Sequence, residues 1–336
     1  MRVVAAPDKF RGTATAAEVA DQIRHVITTL GWDCVRMPLA DGGEGTLDAL
    51  GGGNRWSAVT GPLGAPVQAL WRLDNGTAVI EMAKASGLDL VGGEAGNDPI
   101  AATSRGTGEL IGEAVRAGAQ RIIVAVGGSA CTDGGIGAIE VLAPLAPFGT
   151  GGRAQIIVAV DVRTTFDRAA EVFSPQKGAS PAQVEQLKAR LATLERQYEA
   201  QYAIHLRQVP GSGAAGGLAG ALAALGGLIV GGFDTVAAER GLSDALASAD
   251  LVITGEGRVD ATSLEGKVVG GVLRLAAEAG VPCAVIAGQI DDAVDLPALA
   301  VDLTDAYGRS RSWDETPACV AEATRKVLSL IATQAR

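Results

Sequence analysis

Carboxylates and glycines recur together at four places in this 336-residue chain, two of them with Lys or Arg as well. Pro7 to Gly12 (PDKFRG) holds Asp8, Lys9 and Arg11, and Ala40 to Thr46 (ADGGEGT) holds Asp41. Gly127 to Gly137 (GGSACTDGGIG) carries Gly127, Gly128, Ser129 and Asp133; Thr254 to Lys267 (TGEGRVDATSLEGK) carries Gly255, Glu256, Gly257, Arg258, Asp260, Glu265 and Lys267. Glycines let backbone N–H groups approach phosphate oxygens, and carboxylates bind a hard cation, so this composition suits phosphates with Mg²⁺. Each loop follows an apolar run that reads as a strand, and open α/β sheets bind ligands beyond their strand ends. The last loop organises the reading: Leu251 to Ile253 as a buried strand, Thr254 to Gly257 as a turn, and a helix from Leu264 to Ala279.

Other chemistries fit less well. Lys267 is followed by Val268, and Ala261 stands where a Walker A loop needs glycine, so this is no P-loop. Gly211 to Gly216 spells GxGxxG with Asp234 a little beyond, but Pro210 sits where a strand should enter the turn and the motif lies mid-chain, which sets aside a dinucleotide oxidoreductase. No GxSxG elbow is present, and only His25 and His205 offer an imidazole, so general-base work falls to a carboxylate. Any one of these carboxylates has a competing role as a helix cap or loop acceptor. Asp133, just before Gly134 and a helix, is the most open to that reading.

Composition narrows the class further. With 28 Lys and Arg against 38 Asp and Glu, the chain carries a net charge of −10 and has no basic stripe to follow a phosphodiester backbone, so nucleic acid is not expected as a partner. Cys34, Cys131, Cys283 and Cys319 are scattered, without CxxC or Cys/His spacing, which indicates neither a disulfide framework nor a zinc site and points to a reducing cytoplasm. The opening MRVVAAPDKF lacks the apolar core of a signal peptide. Val209 to Phe233 is free of charge, yet it is rich in Gly and Ala rather than in the large residues that drive insertion, so no membrane span is expected.

These loops need a frame. Arg2 to Ala6 reads as a buried strand; Thr15 and Glu18 form a capping box before Val19, Ile23, Val26, Ile27 and Leu30 at helical spacing; Cys34 to Met37 is the next strand. Asp74-Asn75-Gly76 marks a hairpin between Ala69 to Leu73 and Thr77 to Glu81. Then follow a helix from Ser104 to Ala117, strands at Arg121 to Val126 and Ala154 to Val160 ending on Asp161, and an amphipathic helix through Val184 and Tyr198. Ala203 to Val209, carrying His205, reads as a strand. Strands at Cys283 to Ala287 and Ala300 to Leu303 precede a final helix capped at Thr316-Pro317. The pattern predicts an α/β protein of two α/β domains: a discontinuous parallel-sheet domain from residues 1–60 and 245–336, with residues 61–244 inserted as a mixed-sheet α/β domain.

At this point the motifs form a familiar set. APDKFRGTATA, PLADGGEGT, GGSACTDGGIG, FSPQKGA, PGSGAAGGLAGAL and DLVITGEGRVDATSLEGK resemble, in this order, those of the bacterial type I glycerate kinases, and the resemblance is essentially chain-wide. It implies ATP- and Mg²⁺-dependent phosphorylation of D-glycerate, with O2 and hence 2-phosphoglycerate favoured, and it implies that the discontinuous domain is flavodoxin-like. This sequence departs from the family pattern in three places. Arg11 stands at the usual lysine; Ala130-Cys131-Thr132-Asp133 replaces Ala-Thr-Asn-Asp; and Asp161-Val162-Arg163-Thr164-Thr165-Phe166 replaces Asp-Val-x-Asn-Pro-Leu in a stretch shorter than usual.

With in-line phosphoryl transfer as the chemistry, Asp8 or Asp41 accepts the hydroxyl proton, and Arg11 and Lys9 pair with the substrate carboxylate or the moving phosphoryl group. Gly127, Gly128 and Ser129 offer N–H and hydroxyl groups, Gly255, Gly257, Lys177 and Lys267 are further phosphate candidates, Asp161 is a substrate contact, and Asp133 or Glu256 lies near Mg²⁺. A kinase for another small hydroxy acid, or a nucleotide- or metabolite-binding protein without turnover, are the competing functions. Oligomeric state is not legible.

Overall fold

Apolar runs become eleven strands among the residues that the computed structural model describes, 1–149 and 151–334. They are β1 (Arg2–Ala5), β2 (Asp33–Arg36), β3 (Arg55–Thr60), β4 (Pro66–Asp74), β5 (Thr77–Glu81), β6 (Arg121–Ala125), β7 (Gln155–Val160), β8 (Leu228–Gly231), β9 (Leu251–Val259), β10 (Cys283–Ile290) and β11 (Leu299–Asp302). The chain divides into two α/β units.

The first unit comprises Met1–Asp41, Asp48–Leu50 and Phe233–Arg336. Its sheet runs β11-β10-β9-β1-β2, every neighbouring pair parallel. Counted along this unit, that is the flavodoxin-like order 2-1-3-4-5, whose direction of winding reverses between β1 and β9. Alternate residues feed two cores: Val3, Ala5, Leu251 and Ile253 pack with the helices Ala16–Thr29 and Thr316–Gln334, whereas Val4, Ala6 and Val252 pack with the helices Gly232–Arg240 and Val268–Ala279. Burial on both faces is why these strands read as unbroken apolar runs. The first helix starts at its expected capping box, with Glu18 N–H donating to Thr15 Oγ1 and Thr15 N–H to Glu18 Oε2.

Glycine misdirected the reading of the last loop. Gly255 and Gly257 lie within β9, not in a turn, and β9 pairs with β10 as far as Val259↔Ile290. A β-carbon on Gly255 would sit 1.8 Å from the Ile286 carbonyl oxygen, so glycine here permits close strand approach. The following helix consequently starts at Val268 rather than Leu264, after a short 3₁₀ turn capped by Asp260.

The second unit comprises Gly42–Leu47 and Gly51–Gly232, with sheet order β3-β4-β5-β6-β7-β8. β3, β4 and β5 are antiparallel and β5 through β8 parallel, a mixed sheet. Asn75 and Gly76 both take positive φ (47° and 77°), as the expected tight hairpin requires. The boundaries differ from those expected at 60 and 245: β3 pairs with β4 from Arg55↔Trp71 to Thr60↔Pro66, and Phe233, Val236 and Leu242 join a core of the first unit.

Two further segments depart from expectation. The amphipathic helix runs Pro181–Tyr202 and is followed by Ala203 at φ 54° and a 3₁₀ turn Leu206–Gln208, so His205 is on no strand and instead meets Glu199 at 2.8 Å on the surface. The charge-free glycine segment contains the helix Leu218–Ala224 and the unforeseen strand β8. Among the described residues no helix is long and apolar enough to cross a membrane.

Candidate active site

In the first unit, the chain leaving β1 stays beside β9 for three residues. Ala6 N–H donates to Ile253 O and Asp8 N–H to Gly255 O, both at 2.8 Å, and Leu39 N–H donates to Pro7 O. These bonds put Asp8 at the carboxyl end of β1 where the sheet reverses, the position at which such sheets bind ligands. A cleft of about 580 Å³ opens there, lined by Asp8, Lys9, Arg11, Asp41, Glu256, Gly257 and Lys267, with the exposed Arg309 and Trp313 also on its lining. Seven of the fourteen candidate residues named from the sequence therefore converge in one cleft, from three of the four loops.

The electrostatics of this cleft are strained. Asp8 is 6 % exposed, and burial pushes its carboxyl up to about 7; Asp41 and Glu256 add to the rise, while Lys9 and its own backbone N–H oppose it. Glu256 is 9 % exposed and also rises to about 7, first from burial, with Asp41 and Asp260 adding and Ser263 and Lys267 opposing. Its Oε1 is buried without a hydrogen-bond partner. Asp8 and Glu256, each pushed up by burial with Asp41 adding to both, form a pair that a bound cation or a proton relieves.

Among the described residues no group of three or more His, Cys, Asp and Glu forms a ready metal cage. That is compatible with magnesium at a phosphoryl-transfer site, where one or two carboxylates act with the substrate phosphates. The orphaned Glu256 Oε1 meets that requirement.

The remaining candidates lie in the second unit, at the carboxyl ends of β6 and β7. Gly127 is held close to the Gly43 backbone, where a β-carbon would be 2.7 Å from Gly43 Cα, and Gly128 takes φ 73°. Ser129 Oγ accepts from Lys177 Nζ at 2.7 Å, and the same ammonium donates to Cys131 O at 2.6 Å. Lys177 is only 2 % exposed, and burial pushes it down to about 8, against the pull of Cys131 and Asp133. It braces the loop from inside rather than presenting itself to phosphate. Asp161 stands exposed just beyond β7.

Asp133 corrects the sequence reading. Its two oxygens accept from Ser104 N–H and Oγ, Thr103 Oγ1, Gly135 N–H and Gly137 N–H. Five donors leave no room for a cation, so the competing role as loop acceptor holds and Glu256 is the better metal candidate. Gly255 is likewise buried in the ladder, its carbonyl taken by Asp8. The GxGxxG segment is also occupied: Ser212 Oγ donates to Leu206 O and accepts from Phe166 N–H, and a β-carbon on Gly216 would lie 2.3 Å from Cys131 O.

Three residues escaped the sequence reading. Glu81, 2 % exposed at the end of β5, accepts from Gly45 and Leu47 N–H and fixes the Gly42–Leu47 loop. An acid closing an apolar strand was its signal. Arg309 and Trp313 come from a stretch with no periodicity, and their placement depends on the tertiary fold.

An α/β enzyme with buried carboxylates and cations gathered at a strand-order reversal, and with no nucleophile-and-imidazole pair among the described residues, is a small-molecule phosphotransferase. The sequence comparisons say which kind. The profile of the glycerate kinase family matches residues 3–145 and 150–335. The chain is 39 % identical over 331 residues to a protein of Escherichia coli K12 named glycerate 2-kinase, covering 88 % of this chain and 87 % of that one. It is 38 % identical over 327 residues to a Bacillus subtilis 168 protein named glycerate kinase, covering 86 % and 85 %. A crystal structure of a protein described as glycerate kinase 2 from Salmonella typhimurium LT2 superposes with a TM-score of 0.84 at 34 % identity over the whole of both chains. The chain belongs to the glycerate kinase family and is a kinase.

Proposed function

We propose that this kinase transfers the γ-phosphoryl group of ATP to D-glycerate in a Mg²⁺-dependent reaction, with 2-phosphoglycerate as the product. The observation that carries this is the cleft at the β1/β9 reversal, where buried Asp8 and Glu256 share a site with Lys9, Arg11, Asp41 and Lys267. The names of the E. coli and B. subtilis relatives support the acceptor.

In this reading Asp8 is the general base: burial beside two other acids raises its proton affinity to about 7, so its ionised carboxylate takes a proton from a hydroxyl more readily than an ordinary aspartate would. Asp41 stays the alternative base. Arg11 pairs bidentately with a carboxylate or phosphoryl oxygen, Lys9 and Lys267 balance charge on the phosphates, and Gly257 borders them. Glu256 would hold magnesium, which supplies charge neutralisation on the phosphates when bound. In the second unit Gly127, Gly128 and Ser129 offer backbone and hydroxyl donors, and Asp161 is a substrate contact.

The test follows ADP release with MgATP and D-glycerate, against L-glycerate, glycerol and no acceptor, with phosphorus NMR of the product. Fast release with D-glycerate alone and a phosphorus signal coupled to the C2 proton are expected. Release with a different hydroxy acid only would move the substrate to that acid.

A further inference from the structure

The cleft of the first unit has two chemically different sets of lining residues. Its buried and half-buried lining includes Asp8, Asp41, Glu256 and Lys267, and its exposed lining includes Arg11, Arg309 and Trp313. Arg11 and Arg309 are exposed, and neither forms an ion pair among the described residues. Trp313, in the helix Arg309–Asp314, is 61 % exposed although it lines a concave site.

One side of its indole has a defined support. Cζ2 and Cη2 lie 3.4 and 3.5 Å from the position that a β-carbon of Gly12 would occupy, and Gly12 takes φ 83°, where side chains are disfavoured. The benzo edge of the ring lies against bare backbone at Gly12, and the side chain is otherwise largely exposed on the wall of the cleft. A large aromatic surface left open beside unpaired guanidinium groups matches a ligand that is planar and apolar at one end and polyanionic at the other. Glycerate, three carbons bearing two hydroxyls and a carboxylate, has no such plane. A nucleoside triphosphate has both parts.

We infer that Trp313 is the platform on which the nucleobase of the phosphoryl donor stacks, with the phosphates directed toward Arg11, Arg309 and Lys267. The inference rests on the reading that the donor nucleotide occupies this cleft, and it fixes which end of the nucleotide lies where. Stacking of a base on an aromatic side chain is worth about 1–3 kcal/mol by alanine substitution, or roughly 5- to 150-fold in affinity.

The test compares wild type with Trp313→Ala and Trp313→Phe, both at an exposed position where the fold is expected to survive and is checked by circular dichroism. Trp313→Ala should raise KM for ATP, and the dissociation constant for MgADP by calorimetry, by roughly tenfold or more. KM for D-glycerate should stay within about twofold and kcat within about threefold, with Trp313→Phe recovering most of the loss. MgADP should quench tryptophan fluorescence in wild type and not in Trp313→Phe, although Trp32, Trp56 and Trp71 remain. Unchanged ATP and ADP affinities in Trp313→Ala, or a rise in KM for glycerate instead, would overturn the platform while leaving the kinase reading intact. A wild type that binds ADP but shows no ATP-dependent turnover would overturn the kinase reading, and calorimetry would still decide the platform.

Discussion

Buried charge is handled in opposite ways in the two units. In the second unit Asp133 is enclosed by five donors and Lys177 by Ser129 Oγ and Cys131 O, so each buried charge is matched by hydrogen bonds. In the first unit Asp8 accepts from Lys9 N–H yet faces Asp41 and Glu256, and Glu256 Oε1 has no partner. Satisfied charge is architecture; unsatisfied charge is held at the expense of stability and becomes available to a ligand. The contrast separates residues that looked equivalent as letters in glycine-rich loops.

The sharpest way to break this comparison is Asp8→Asn. The neutral isostere keeps an acceptor for Lys9 N–H but cannot take a proton from the acceptor hydroxyl, so kcat should fall by roughly 10²- to 10⁴-fold in steady-state assays. The same change should raise thermal stability at pH 7. Because the folded carboxyl sits near 7 and the unfolded one near 3.8, the folded state binds more protons between those values, and stability contributed by Asp8 falls as pH rises through that window. Asparagine removes that loss, a gain on the order of 1–3 kcal/mol at neutral pH. Wild-type turnover in this variant would place the base at Asp41 instead.

Asp133→Asn should do the reverse. It turns an N–H₂ toward donors that now meet an oxygen, and it should cost about 2–4 kcal/mol in chemical denaturation. A variant as stable as wild type but weakened in its Mg²⁺ requirement would restore Asp133 as a metal residue.

Lys177→Met is expected to have the smallest effect of the three, about 1–3 kcal/mol of destabilisation near pH 8, from unpaired Ser129 Oγ and Cys131 O. Its pH dependence sharpens the case. The folded lysine sits near 8 and the unfolded one near 10.5, so the unfolded state binds more protons between them and the wild-type term grows as pH rises. The stability gap between wild type and variant should therefore widen from pH 8 to pH 10. A gap that stays constant would mean that Lys177 is ordinarily charged and solvated in the folded protein.

The sequence was informative wherever the signal is local. The capping box at Thr15 and Glu18, the Asp74-Asn75-Gly76 hairpin and the apolar runs of β1 and β9 each arise from a few adjacent residues, and the folded chain has them. Motif order likewise points to the family. Glycine was ambiguous: the same residue serves a turn, as at Gly76, or a close strand contact, as at Gly255, and only the neighbour across the sheet distinguishes them.

By itself, then, the sequence determined the α/β alternation, the helix and hairpin signals, the chemistry available in each loop and the family to which the chain belongs. Tertiary structure decided which acids are paired. Asp133 finds Ser104 and Asp8 finds Asp41 and Glu256 only once distant segments meet, and β9 turns from a glycine loop into a strand only against β10. Proton affinity and hydrogen-bond satisfaction depend on burial and on neighbours remote in the chain, so no local pattern contains them.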